Sequence, residues 1–138
     1  MSAVSGLSTR HLYASTDSLL RFAMRADATA TGLCGLAIAV VADPLSSMTG
    51  LTSGTEYGLG AFFVLYGLVV LSLAATSNLR SAGIGVVAAN LAFTLGAIVA
   101  AEALPLTATG VAASLASAIY TATFAGLQYL GVRRLATA

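Results

Sequence analysis

The sequence predicts an all-α membrane protein, with four transmembrane helices in an up-down bundle. Three observations carry that expectation. The chain of 138 residues is 58% hydrophobic and only 8% charged, with a mean hydropathy of +0.93, whereas a typical soluble domain is about 25% charged. Four apolar segments each reach the roughly 20 residues that cross a hydrocarbon core about 30 Å thick. All six positive charges are Arg, and all of them fall on one side of the topology that four spans imply.

Taken in order, residues 1–17 form a polar, Ser-rich segment in which the lone His11 has no evident partner. Ser15, Thr16 or Asp17 suits the N-cap of a helix starting at Ser18. Span one, residues 18–42, carries Arg21, Arg25 and Asp27 in its first turns and is apolar beyond them. Asp17 and Arg21 stand four apart and can pair on one helix face. The long polar leader argues against a cleaved signal peptide. Asp43-Pro44 ends the span, because the residue before proline is pushed out of the α region. Residues 44–55 read as a loop of turn-forming residues, with Leu45, Met48 and Leu51 in a short interfacial turn.

Span two covers residues 56–76, and the tight connection 77–80 makes a helical hairpin with span three, residues 81–103. Pro105 closes span three. Span four covers residues 109–132 and runs straight into Arg133-Arg134, so residues 18–134 form one transmembrane domain with a tail at 135–138. Helices are the expected element throughout, since backbone polar groups in a bilayer must pair internally. Arg10, Arg21, Arg25, Arg80, Arg133 and Arg134 share one side of this topology, and Asp43, Glu56 and Glu102 lie on the other. The positive-inside rule then puts both termini in the cytoplasm. A faint internal echo accompanies this: Arg21 to Asp43 and Arg80 to Glu102 are equally spaced, each followed by Pro-Leu.

Four sets of residues stand out as candidates. Ala88, Ala92, Gly96 and Ala100 on span three, and Ser114, Ala118, Ala122 and Gly126 on span four, make stripes of small side chains. Membrane helices associate through close packing, so these read as seams, within the bundle or against a second protein. Asn90 and Thr94 lie on the face opposite the first stripe, because two residues of helix turn about 200°. Counted inward from the span ends, Thr31, Tyr66, Asn90 and Tyr120 share a depth near mid-membrane and outline a candidate polar site. Their alternative role is to bond one another or backbone carbonyls. Glu102 is the best candidate for an ionisable functional group. Arg21, Arg25, Arg80, Arg133 and Arg134 form a basic rim that suits anionic lipid and also serves as the topology signal. Gln128 reads as a local hydrogen-bonding residue at the inner end of span four, and Tyr57 and Tyr129 as interfacial belt residues.

The acids argue against a coupled carrier, which holds a carboxylate deep in the membrane. Here Asp43, Glu56 and Glu102 sit at outer span ends and Asp27 in the first turns of span one. The small multidrug-resistance transporters are four-helix proteins of similar size, but span one lacks their mid-membrane Glu, and no transport residue carries over. No catalytic or metal-binding pattern is present: there is no His/Cys/Asp cluster, no phosphate loop and no G-x-S-x-G. The expectation is no enzyme, no cofactor and no metal. Without Lys and with Arg confined to a membrane rim, nucleic acid is not an expected partner. The single Cys34 cannot form an intramolecular disulfide.

The stretch RFAMRADATATGLCGLA, a Pro-Leu turn, LPLTATGV and a last span ending LQYLGVRR resemble small four-helix integral membrane proteins of high-GC bacteria. The likeness covers most of the chain from Leu19 on. It implies the four-helix membrane fold and brings no activity or site residue with it. The Ala-, Gly- and Arg-rich composition agrees with such a source, and a multi-pass protein of the bacterial inner membrane is expected.

The leading functional expectation is therefore a non-catalytic integral membrane protein acting through helix–helix contacts. It would serve as an accessory subunit of a membrane complex or as a homo-oligomer, with membrane lipids and another membrane protein, or itself, as partners. The alternatives are a small transporter or channel with a pathway between protomers, and a binder of lipid or another hydrophobic ligand between helices.

Overall fold

The computed structural model describes the backbone of residues 2–136 and the side chains of residues 16–135. The described chain is all-helical: α1 (Ser2–Val40), α2 (Ala42–Thr49), α3 (Ser53–Ala74), α4 (Leu79–Ala103) and α5 (Ala108–Ala136). Ser53–Ala74, Leu79–Ala103 and Ala108–Leu135 are each long and apolar enough to cross a membrane. The pair Thr16–Val40 and Ala42–Thr49, bent by 93° at Val41, makes up to four spans if counted as one. Large apolar side chains face outward along these helices, among them Leu65, Leu68, Leu95, Val99 and Ile119. That surface suits hydrocarbon rather than water.

The start of α1 corrects one expectation. The helix is continuous from Ser2, so the residues at 15–17 do not cap it. Asp17 pairs instead with Arg21 on the same face, Nε to Oδ2 at 3.0 Å. His11 lies outside the described side chains.

The break after α1 falls at Val41, ahead of the expected stop at Asp43-Pro44, and both of those residues are helical, so the expected loop is largely helix. Pro44 sits in the first turn of α2, where an N–H would have no intrahelical partner and its absence costs nothing. Asp43 in the same turn complements the helix dipole. Gly50 ends α2 with φ of +87°, and its N–H reaches the Ser46 carbonyl; L side chains rarely adopt this backbone. Thr107 then pins α2 to the α4–α5 connection, its N–H donating to the Thr49 carbonyl at 3.0 Å and its hydroxyl to the Met48 carbonyl. Thr52 caps α3 by accepting from the Thr55 N–H.

The helices pack as two close pairs, α1 with α3 and α4 with α5. α1 also lies along α5, while α3 and α4 touch little. Contacts step backward along α3 as they step forward along α1. Arg21 Nη1 donates to the Ala74 carbonyl at 2.6 Å, a cap on the carbonyls that end α3. At the other end, Gly35 and Gly60 meet so closely that a Cβ on Gly35 would lie 2.6 Å from the Gly60 oxygen. A Cβ on Gly67 would lie equally close to the Ala28 oxygen, at 2.6 Å. A close seam of small residues therefore runs between α1 and α3.

This corrects the expected intramolecular seams. Ala88, Ala92 and Gly96 are exposed on the outer face of α4, and Ala100 is half-buried. On α5 only Ala118 is buried; Ser114 is half-buried, and Ala122 and Gly126 are exposed. A Cβ at Gly96 or Gly126 would meet nothing within 4 Å. The physical reason is the opposite face of α4. Asn90 must find partners and turns inward with Gly83, Val86 and Ala97, which leaves the small stripe outside.

Candidate functional site

A buried carboxylate stands where four helices converge. Asp27 shares one face of α1 with Leu20, Met24 and Thr31, at helical spacing, and its residue is 0% exposed. Its Oδ2 accepts from the Tyr66 hydroxyl of α3 at 3.0 Å, from the Asn90 amide of α4 at 2.9 Å and from the Gln128 amide of α5 at 2.9 Å. Its Oδ1 accepts from Thr31 at 3.1 Å and from the Tyr120 hydroxyl at 3.2 Å. Thr31 and Tyr120 also touch each other, at 3.1 Å, and Asn90 donates a second hydrogen to Gln128 Oε1 at 2.9 Å. Every one of these partners is neutral. Both carboxyl oxygens are thus hydrogen-bonded from several helices. No buried side-chain polar atom among the described residues lacks a hydrogen-bond partner.

Thr31, Tyr66, Asn90 and Tyr120 are thus brought together as the sequence suggests, but around a hub that the sequence reading missed. Asp27 is not an interfacial acid of the first turns. Arg25 beside it is exposed, while Asp27 follows the buried face of Leu20 and Met24. That phase was the available signal. Gln128, expected to bond locally, is fully buried and reaches Asp27 and Asn90 across helices. Glu56, expected at a wetted span end, is 2% exposed and accepts from the Thr49 hydroxyl at 2.5 Å. Glu102 is exposed near the end of α4 and is not among the partners of Asp27.

The two sides of the Asp27 cluster differ. Toward the Arg-bearing helix ends the space is filled by Leu20, Met24, Val70, Leu79, Val86 and Val132. Toward the opposite ends lies a cavity of about 310 Å³, lined from α1, α3, α4 and α5. Thr31, Tyr66, Asn90 and Tyr120 form its polar floor, with Cys34, Phe62, Phe63 and Phe93 among its walls. Phe63 and Phe93 meet edge-to-face, with centroids 5.3 Å apart, and bridge the otherwise sparse α3–α4 contact. Thr94 and Thr121 join α4 to α5 at 2.6 Å beside it. An apolar cavity of this size with a few convergent polar groups has the form of a small-molecule site.

Of the Arg residues expected at a lipid rim, Arg21 is half-buried and engaged with Asp17 and the end of α3. Arg25, Arg80, Arg133 and Arg134 are exposed, and the Arg133 guanidinium lies 6.0 Å from the Tyr129 ring centroid. Among the described residues no group of three or more His, Cys, Asp and Glu is placed to hold a metal ion. No family model matches the chain, and neither does any curated protein or solved structure.

Proposed function

We propose that this chain is a multi-pass membrane protein, a four-helix up-down bundle that holds a small, largely apolar ligand between its helices. The carrying observation is the cavity of about 310 Å³, lined by all four long helices and floored by the Asp27 cluster. Cys34, Phe62 and Ala89 on its walls are exposed, so an apolar molecule can enter the cavity from outside. In this reading both termini are cytoplasmic, in a bacterial inner membrane. The positive-inside bias of the Arg residues and the resemblance to high-GC bacterial proteins support those assignments. The chemistry is binding or carriage rather than catalysis, and the expected partners are membrane lipids and the ligand, not nucleic acid.

The test is extraction of small molecules from the protein purified out of its own membrane. Wild type should release a defined apolar species that Cys34→Phe, whose new ring fills the cavity, does not carry. Identical extracts from the two would sink the reading.

A second reading, association with itself or another membrane protein, is favoured by one observation. The stripe Ala88, Ala92 and Gly96 is exposed on the outer face of α4, where a second helix could approach closely. The two readings are compatible, because the stripe lies on the face opposite Asn90 and the cavity.

A further inference from the structure

The hydrogen bonds that build the cavity floor also dictate what a ligand must bring to it. The Tyr66 and Tyr120 hydroxyls both donate to Asp27, and so does Thr31. The Asn90 amide gives its hydrogens to Asp27 and Gln128. Higher on the wall, Ser117 donates to the Ala113 carbonyl, and Thr121 to carbonyls of its own helix. A hydroxyl that has committed its one hydrogen keeps only acceptor capacity. The polar end of the cavity therefore accepts hydrogen bonds and offers none, apart from the weak Cys34 thiol.

Charge points the same way. Behind the floor lies the Asp27 carboxyl group, whose hydrogen-bond partners are all neutral, with no cation among them. The walls carry Phe62, Phe63 and Phe93, whose ring faces are negative and attract cations. We propose that the cavity takes an amphiphilic amine in its protonated form. Its N–H groups meet the floor oxygens of Thr31, Tyr66 and Tyr120, and its apolar body lies among the Phe rings. Ethers, ketones, esters and carboxylates set acceptor against acceptor there. This rests on the cavity being a ligand site and adds the sign and polarity of the head group.

N-Butylbenzylamine and benzyl butyl ether separate the two ideas, since they differ only in an ammonium group against an oxygen. Binding is measured by equilibrium dialysis of the detergent-solubilised full chain, with Cys34→Phe as the blank for partition into micelles. Ala89→Phe serves as blank if that variant does not fold. The amine should show at least tenfold tighter binding than the ether in excess of the blank, and Asp27→Asn should erase the preference. The wild-type ratio decides alone if Asp27→Asn is unstable. Ether binding as tight as amine binding would overturn the amine assignment and leave the apolar site standing. No excess over the blank for either compound would overturn both.

Discussion

Asp27 is the residue at which sequence and structure diverge most, and it carries the first prediction. Asp27→Asn preserves shape but turns one acceptor oxygen into an NH2 group facing donors from Tyr66, Asn90 and Gln128 or from Thr31 and Tyr120. A buried polar group left unsatisfied costs about 1–3 kcal/mol. The expected outcome is a lowered thermal midpoint by circular dichroism in detergent; an unchanged midpoint would show that the carboxylate is not the hub. Gln128→Leu removes one of the five donors to Asp27 and the acceptor of Asn90's second hydrogen, and should cost about 0.6 kcal/mol for each of these membrane hydrogen bonds. Asn90 was legible in the sequence because an amide in an apolar helix must find partners. Asp27 was not, because the adjacent outward Arg25 made an acid at that place look like part of a wetted rim.

At the scale of the element, glycine position decides packing. Gly67→Ala puts a Cβ 2.6 Å from the Ala28 carbonyl oxygen, so α1 and α3 must separate, at about 1–3 kcal/mol. Gly96→Ala meets nothing within 4 Å and gains helix propensity. The two variants should shift the thermal midpoint in opposite directions, and equal shifts would contradict the seam assignment. Arg21→Gln removes the charged cap on the last carbonyls of α3. Such interactions contribute about 0.3–1 kcal/mol, up to about 2 when partly buried. Faster amide exchange confined to the last turn of α3 is expected. The long helices were readable from apolar length alone. α2 was not, because DPLSSMT has the composition of a loop, and only its docking through Thr49 and Thr107 shows that it is held.

For the whole molecule, the Asp27 cluster divides a filled end from an open one. The apolar side chains from Leu20 to Val132 close the Arg-bearing end, and the sparse α3–α4 contact leaves the cavity beyond the cluster. Gly96→Leu tests the outer surface separately from this interior. It should leave helix content and ligand binding unchanged while shifting the protein toward smaller assemblies in sedimentation through detergent-matched solvent. An unaltered sedimentation profile would remove the α4 stripe as an interface. Composition, apolar length and the placement of Pro and Arg determined by themselves that this is a helical protein suited to a membrane, with its breaks near Val41 and Pro105. Those are properties of one segment at a time, set by the solvent and the local backbone. Which face of each helix turns inward was decided only by the tertiary structure. Ala-, Gly- and Leu-rich helices present near-equivalent apolar faces, and the choice among them falls to a few polar groups that must meet: Asp27 with Tyr66, Asn90, Tyr120 and Gln128.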